Sequence, residues 1–405
     1  MQSRWFARLF FLAVATVAAA GGLGACTRWG QPGPVTPTIE PISSIYVDPN
    51  TGSDSTGNGS IQKPYKTMTK AVDTLASSKA LSPGGVTIYL SSGDYNAAKG
   101  EKFPIVIPTS VTIDGTSYGR GLRNGTFIDG SGEDTLYEHI VNAPARSAYA
   151  TLEIENAAGV TLNDVYVGDA KLSLPGSATY VSLDNMGTLS VTFATFGVAV
   201  APAASNAGGI LDAGGTLTCN SCVVHGNAFG IGALSVPVAT ASPYATGPSI
   251  TLNHANGDSS IAAKGVDILT DGSVSVTANQ EVFERSRYAY EDTIAPIVPV
   301  PIRGAIDFGG GVAQSSGGNV FIGARNTEIS VTRRNVTISA LDDTWNPGQQ
   351  RANRNGRYRR TITFDPGASG KNVTIAHDAS GSAVTVGPAP VPTPSITPST
   401  SPTPT

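Results

Sequence analysis

Apolar and polar residues alternate in short runs along most of this chain, and the runs share a phase. Leu189, Val191 and Phe193 alternate with Ser190 and Thr192, and Leu217 and Cys219 flank Thr218. A period of two marks a strand with one face buried. Gly, Asn and Asp punctuate the runs, as turns between strands require. The segment Ile154-Glu155-Asn156-Ala157-Ala158-Gly159-Val160-Thr161-Leu162 returns as Leu183-Asp184-Asn185-Met186-Gly187-Thr188-Leu189-Ser190-Val191. It returns again as Leu211-Asp212-Ala213-Gly214-Gly215-Thr216-Leu217-Thr218-Cys219. Residues 154, 183 and 211 are 29 and then 28 positions apart, and residues 162, 191 and 219 repeat those intervals. So short a period leaves no room for crossover helices. Equivalent strands must therefore stack coil on coil, which predicts an all-β parallel solenoid. Gly265–Leu269, Asn319–Ile322, Ile329–Thr332, Asn335–Ile338 and Asn372–Ile375 continue the same grammar. A β-sandwich is the alternative, but it predicts turn signals without the shared phase.

Helical spacing is clear only from Met68 to Lys79, where Met68, Ala71, Val72 and Leu75 fall on one side. A solenoid's ends expose unpaired strand edges and need covers. This short helix is expected to plug the first coil.

The residues around that helix carry a resemblance. Tyr46-Val47-Asp48-Pro49-Asn50-Thr51-Gly52-Ser53-Asp54 leads through Gly57 and Gly59 to Lys63-Pro64-Tyr65-Lys66-Thr67-Met68-Thr69-Lys70-Ala71-Val72. This resembles the start of the DUF1565 family and of related right-handed parallel β-helix proteins of the pectin-lyase-like superfamily. The likeness covers Ser44 to Gly132, and beyond it only the style of repeat is shared. It implies a right-handed β-helix with coils of about 28 residues. Its first rungs would be Val86–Leu90, Gly93–Tyr95, Val111–Gly115 and Phe127–Gly130. It does not fix chemistry, because one fold hosts many activities.

The two ends read differently from the middle. Arg4 and Arg8 precede an apolar run from Leu9 to Ala20, too short to span a bilayer. The run closes on Leu23-Gly24-Ala25-Cys26, which resembles the bacterial lipobox, so residues 1–25 are expected to be a leader and Cys26 the lipidated residue. Residues 26–42 read as a tether, 43–384 as the β-helix (43–132 its DUF1565-like part), and 385–405 as a disordered Pro/Thr/Ser-rich tail. The protein is then expected to be exported and held to a membrane by its lipid, at an outer membrane or the cell surface.

Charge narrows the partners. Charged residues are 14% of the chain and the net charge is −4. Nucleic acid, which selects basic surfaces, is excluded as an expectation.

Candidate chemistry rests on a few residues. The repeat alignment puts Glu155, Asp184 and Asp212 on one phase, stacked about 5 Å apart. Like charges that close need a proton or a cation, and hard Ca²⁺ takes such oxygen ligands. Glu155, Asp184 and Asp212 are thus catalytic candidates and Asp184 and Asp212 metal candidates; solvated turn residues are the competing reading. Polysaccharide lyases of the resembled superfamily use acids on neighbouring coils, but the lysines and arginines here match none of their motifs. Asp48, Asn50, Gly52 and Asp54 alternate like a calcium loop but lack its terminal acid. Cys219 and Cys222 are a lone Cys-x-x-Cys, too few for zinc. They could form a disulfide only if a turn separates them. Trp345 precedes Arg351 and Arg354, where an indole could stack a sugar and guanidinium groups pair its acids. A Trp closing the core beside a wet basic loop explains the same residues.

The leading functional expectation is a monomeric, noncatalytic envelope protein, without a cofactor, that presents a groove to extracellular polysaccharide. The alternatives are a lyase or hydrolase acting on polyuronates, and a structural spacer or adhesin.

Overall fold

A computed structural model describes residues 40–78, 80–116, 125–130, 148–155, 158–168, 179–197, 207–234, 248–254, 259–270, 274–284, 286–292, 304–310, 313–322, 329–331, 336–340, 343–345, 361–363, 372–376 and 384–385. The leader, Cys26, Arg351, Arg354 and the tail beyond residue 385 lie outside them.

The alternating runs form three sheets, of eleven, nine and ten strands among the described residues. Each coil visits them in the same order. Thr188–Thr192 lies in the first sheet, Thr195–Gly197 in the second and Ala207–Ala213 in the third; Thr216–Asn220 then returns to the first. Equivalent strands pair in parallel, as in Leu162↔Val191↔Cys219↔Leu252↔Ala278. The architecture is the expected right-handed parallel β-helix. At its C-terminal end, Asn372–Ala376 pairs in parallel with Ile329–Val331 and antiparallel with Thr361–Thr363.

Inward rows fill a continuous core: that Leu162-to-Ala278 row in the first sheet, and Leu152, Leu183, Ile210, Ile231, Ile268 and Tyr290 in the third. Toward the C-terminal end the filling becomes aromatic. Phe283 stacks on Phe321 at 4.9 Å, and Phe308 meets both edge-on.

The corner from the first sheet to the second is made in one step. Asp164, Phe193, Ser221 and Gln280 hold φ of 51, 54, 57 and 57°. Left-handed backbone is costly for residues with a Cβ, and pairing to the next coil offsets that cost. The N–H groups of Asp164, Phe193 and Ser221 donate to carbonyls of Thr192, Asn220 and Asn253 at 3.1, 3.1 and 2.8 Å. Beside these corners the carboxamides form a ladder: Asn279 Nδ2 donates to Asn253 Oδ1 at 2.7 Å, and Asn253 Nδ2 to Asn220 Oδ1 at 2.9 Å.

The helix spans Met68–Ser77 and buries Met68, Ala71, Val72 and Leu75 in the main core. Its orphan N–H groups are met by carboxylates from outside the helix. Glu101 accepts from the N–H groups of Met68 and Thr69 and from the Thr69 hydroxyl. Asp54 accepts from the N–H groups of Lys66 and Thr67 and from the Thr67 hydroxyl.

Candidate functional site

Strand pairing sets which acids meet. In the third sheet Asp184 lies opposite Glu153 on one side and Leu211 on the other. Leu152, Leu183 and Ile210, one position earlier, point into the core, so the Glu153–Asp184–Leu211 row points to the outer face. That face is not bare. Val181, Leu211 and Phe229 are buried in a second apolar cluster, with Leu269 packed against it. The ring of Phe229 lies where side chains at Gly208 and Gly232 would be, since Cβ atoms there would come within 2.1 and 2.9 Å of it. Glu153 and Asp184 are 0% and 1% exposed.

Asp212 lies opposite Asn185 and thus belongs to the next row, on the other face of the sheet from Asp184. Asn185 Nδ2 donates to Asp212 Oδ1 at 2.7 Å. Asp184 Oδ1 and Asp212 Oδ2 are buried without a hydrogen-bond partner. Burial pushes the Asp184 carboxyl up to about 8, with the Glu153 charge and then the Asp212 charge adding to it. Burial pushes Asp212 up to about 7, while hydrogen bonds from Asn185 and from the Gly215 backbone pull it down. At neutral pH Asp184 therefore holds a proton in a dry site, and a neutral carboxyl beside a second acid can donate a hydrogen bond.

This corrects the expected column. Glu155 lies past the strand end, half-buried, with its N–H donating to Ile107 O at 3.1 Å. Glu155, Asp184 and Asp212 do not share a row, and Glu153 takes the place assigned to Glu155. Among the described residues no group of three or more His, Cys, Asp or Glu is placed to hold a metal ion. The Asp48 and Asp54 carboxylates are both engaged by N–H and hydroxyl donors; Asp48 accepts from the N–H groups of Asn50 and Thr51 and from the Thr51 hydroxyl. They act as turn and helix caps.

Cys219 and Cys222 are free thiols, both buried in the core. The left-handed Ser221 supplies the turn that lets both point inward. Trp345 sits on Thr344–Trp345, the last strand of the second sheet, paired opposite Phe321. Asp343 beside it anchors the coil, accepting from the backbone N–H and the Nδ2 of Asn319 at 2.9 and 3.0 Å. Asn319 also accepts from the N–H of Glu281, whose carboxylate accepts from the Ser259 hydroxyl. This buried polar chain gave no signal in the sequence, where its members look like turn residues.

A second feature does have a sequence signal. Ser44, Thr87, Thr112, Thr161, Ser190, Thr218, Thr251 and Thr277 pair in one register on eight consecutive first-sheet strands. From Thr87 on, each lies between inward apolar neighbours and so faces outward, and Ser44 itself is exposed beside the buried Ile45. A second hydroxyl column, Thr188, Thr216, Ser249 and Ser275, runs beside it. On the other side runs the column Tyr46, Tyr89, Asp114, Asn163, Thr192, Asn220, Asn253 and Asn279, in which the rings of Tyr46 and Tyr89 stack at 5.0 Å.

A family model described as "Protein of unknown function (DUF1565)" matches residues 50–350. The chain belongs to the DUF1565 family. The match carries the family well past Gly132, through Trp345 and across the coils that hold the acids and the hydroxyl columns from Thr87 onward. No curated protein matches this DUF1565 chain by sequence. Among solved structures it is similar to the native and selenomethionine crystal structures of GH136 lacto-N-biosidase from Eubacterium ramulus, each at 9% identity over 75% of this chain, with TM-scores of 0.30 and 0.34. It spans 65% and 60% of those chains.

Proposed function

We propose that this protein is an exported, lipid-anchored β-helix of the bacterial cell envelope that binds extracellular glycan without cleaving it. One contrast carries the reading. The acids that face each other on adjacent coils are buried, whereas the first sheet offers water a broad polar face across eight strands. A glycan outside the molecule reaches the second and not the first. The anchor rests on Leu23-Gly24-Ala25-Cys26; stable attachment needs more than one acyl chain, which bacterial lipoproteins carry. Two measurements test the proposal. Expressed cells fed a labelled fatty acid should label the chain at Cys26, and Cys26→Ser should abolish both label and membrane attachment. The full chain in detergent should retain a glycan on an array while releasing neither unsaturated nor reducing ends from it.

One observation favours a hydrolase instead. Asp184, whose carboxyl burial and the Glu153 charge push up to about 8, stands opposite a second acid, and acid–base cleavage of glycosidic bonds uses a pair of carboxyls. Release of reducing ends that disappears in Asp184→Asn would establish that reading and remove the noncatalytic one.

A further inference from the structure

The outer face of the first sheet has a composition that exposed strands rarely show. Exposed strand positions ordinarily carry Lys and Glu among their threonines, because charge keeps sheet surfaces soluble and apart. Here the central column is hydroxyl on every rung from Ser44 to Thr277. The flanking column from Gly159 to Ser275 contains no charge either. Asp114 is the single ionisable carboxylate in the three columns, at the edge shared with the asparagine ladder.

These hydroxyls are also unspent. Among the described residues, none of the eight central side chains is held by another protein group. The asparagines beside them already bond to one another, so their corner is held stiff. Rungs of parallel strands stand about 4.8 Å apart, so the eight extend roughly 34 Å along the helix axis. At the N-terminal end of the face Tyr46 and Tyr89 stack at 5.0 Å and 19°, with Tyr89 39% exposed. Tyrosine joins an apolar ring to a polar tip, which suits the mixed faces of a sugar.

We infer that this face docks an uncharged, hydroxyl-rich polysaccharide lying parallel to the helix axis, a deepening that rests on the glycan-binding reading above. Its length and constant rise suit an extended polymer of repeating units more than a compact partner. Its lack of charge selects against polyuronates. A polyanion would meet no cation on the hydroxyl columns, and desolvating its carboxylates there would go unrepaid. The face therefore points away from the acidic glycans that Arg351 and Arg354 suggested.

The test uses the full chain in detergent with two probes, a neutral β-linked glucan and polygalacturonate, in affinity electrophoresis. Paired Thr218→Val and Thr251→Val, adjacent on the central column, remove two hydroxyls while keeping shape and strand propensity, so the fold persists. Their unfolding midpoint confirms it. The expected result is retardation by the glucan alone, weakened roughly tenfold in the paired variant, as the loss of two neutral hydrogen bonds predicts. Unchanged glucan binding in that variant would place the glycan elsewhere and overturn the inference while sparing the broader reading. Preference for polygalacturonate would overturn the uncharged class. Self-association of the chain that the paired variant abolishes would make the face an interface between copies and overturn it as well. Retention of neither polymer would sink both the inference and the glycan-binding function.

Discussion

Asp184 lies directly opposite Glu153 across two parallel strands, and neither side chain reaches water. Two acids so placed cannot both ionise cheaply, so the fold binds a proton that the unfolded chain releases. The folded-state value of Asp184 is raised from 3.8 to about 8, and that of Asp212 to about 7. The folded form therefore holds more protons throughout that window. The stability these groups contribute is complete below the unfolded value and is lost as pH rises toward 8, with a slope of at most about 1.4 kcal/mol per pH unit for each.

Asp184→Asn keeps the shape and removes the charge. The variant should gain stability over the parent at pH 8 and show little or no gain at pH 4, read from urea midpoints at the two values. An equal gain at both would mean that Asp184 does not titrate in this window.

The asparagine ladder should be structural. Asn253→Ala deletes a donor to Asn220 and an acceptor from Asn279, and should cost about 1–3 kcal/mol. Thr251→Val, two residues earlier on the same strand, should change stability by no more than about 0.5 kcal/mol, because among the described residues its hydroxyl has no hydrogen-bond partner. Denaturant melts of the two variants compare them directly.

The helix cap depends on a remote carboxylate. Glu101→Ala would strip an acceptor from the N–H groups of Met68 and Thr69 and should cost about 1–2 kcal/mol. Hydrogen exchange should show the loss concentrated in residues 68–77, with coils beyond Thr188 unaffected.

Burial pushes the Cys222 thiol up, and its bond with Cys219 adds to the rise. Both thiols are buried in the core, so Cys219 and Cys222 in reduced protein should resist iodoacetamide in the native state and react fully in denaturant, where they are exposed. A chain recovered from an oxidising compartment that stays unlabelled in denaturant until reduced would reveal a disulfide across the Ser221 turn.

Much of the architecture was legible because alternation survives in every coil. The phase shared by Leu162, Val191 and Cys219 is the observed register. The helix and its four buried residues, and the first rungs after it, also stand where the pattern placed them. The acid column was misread by carrying that phase backwards across a corner of variable length. Between the third sheet and the first, the strands end at Ile154, Asn185 and Ala213 and resume at Gly159, Thr188 and Thr216, so the corner is longer after Ile154 than after Asn185 or Ala213. Strand positions are pinned by hydrogen bonds to their neighbours, but corners bulge at little cost. The alignment was therefore right for residues 159–162 and wrong for 154–155. Asp343 and Asn319 were opaque for another reason: a buried polar residue that anchors a turn has the same letters as a wet one.

Because the bonds between coils run along the axis, the stack responds to force in a definite way. A pull applied at residue 40 meets Ser44–Val47 first, held by one neighbouring strand, Thr87–Leu90, and by the helix beneath it. Coils would then peel away singly, each rupture passing the load to the next, rather than shearing all at once. The carboxylates of Asp54 and Glu101 stand at the first of those ruptures. Under load from that end, the stack of coils would owe its mechanical lifetime to that small clasp.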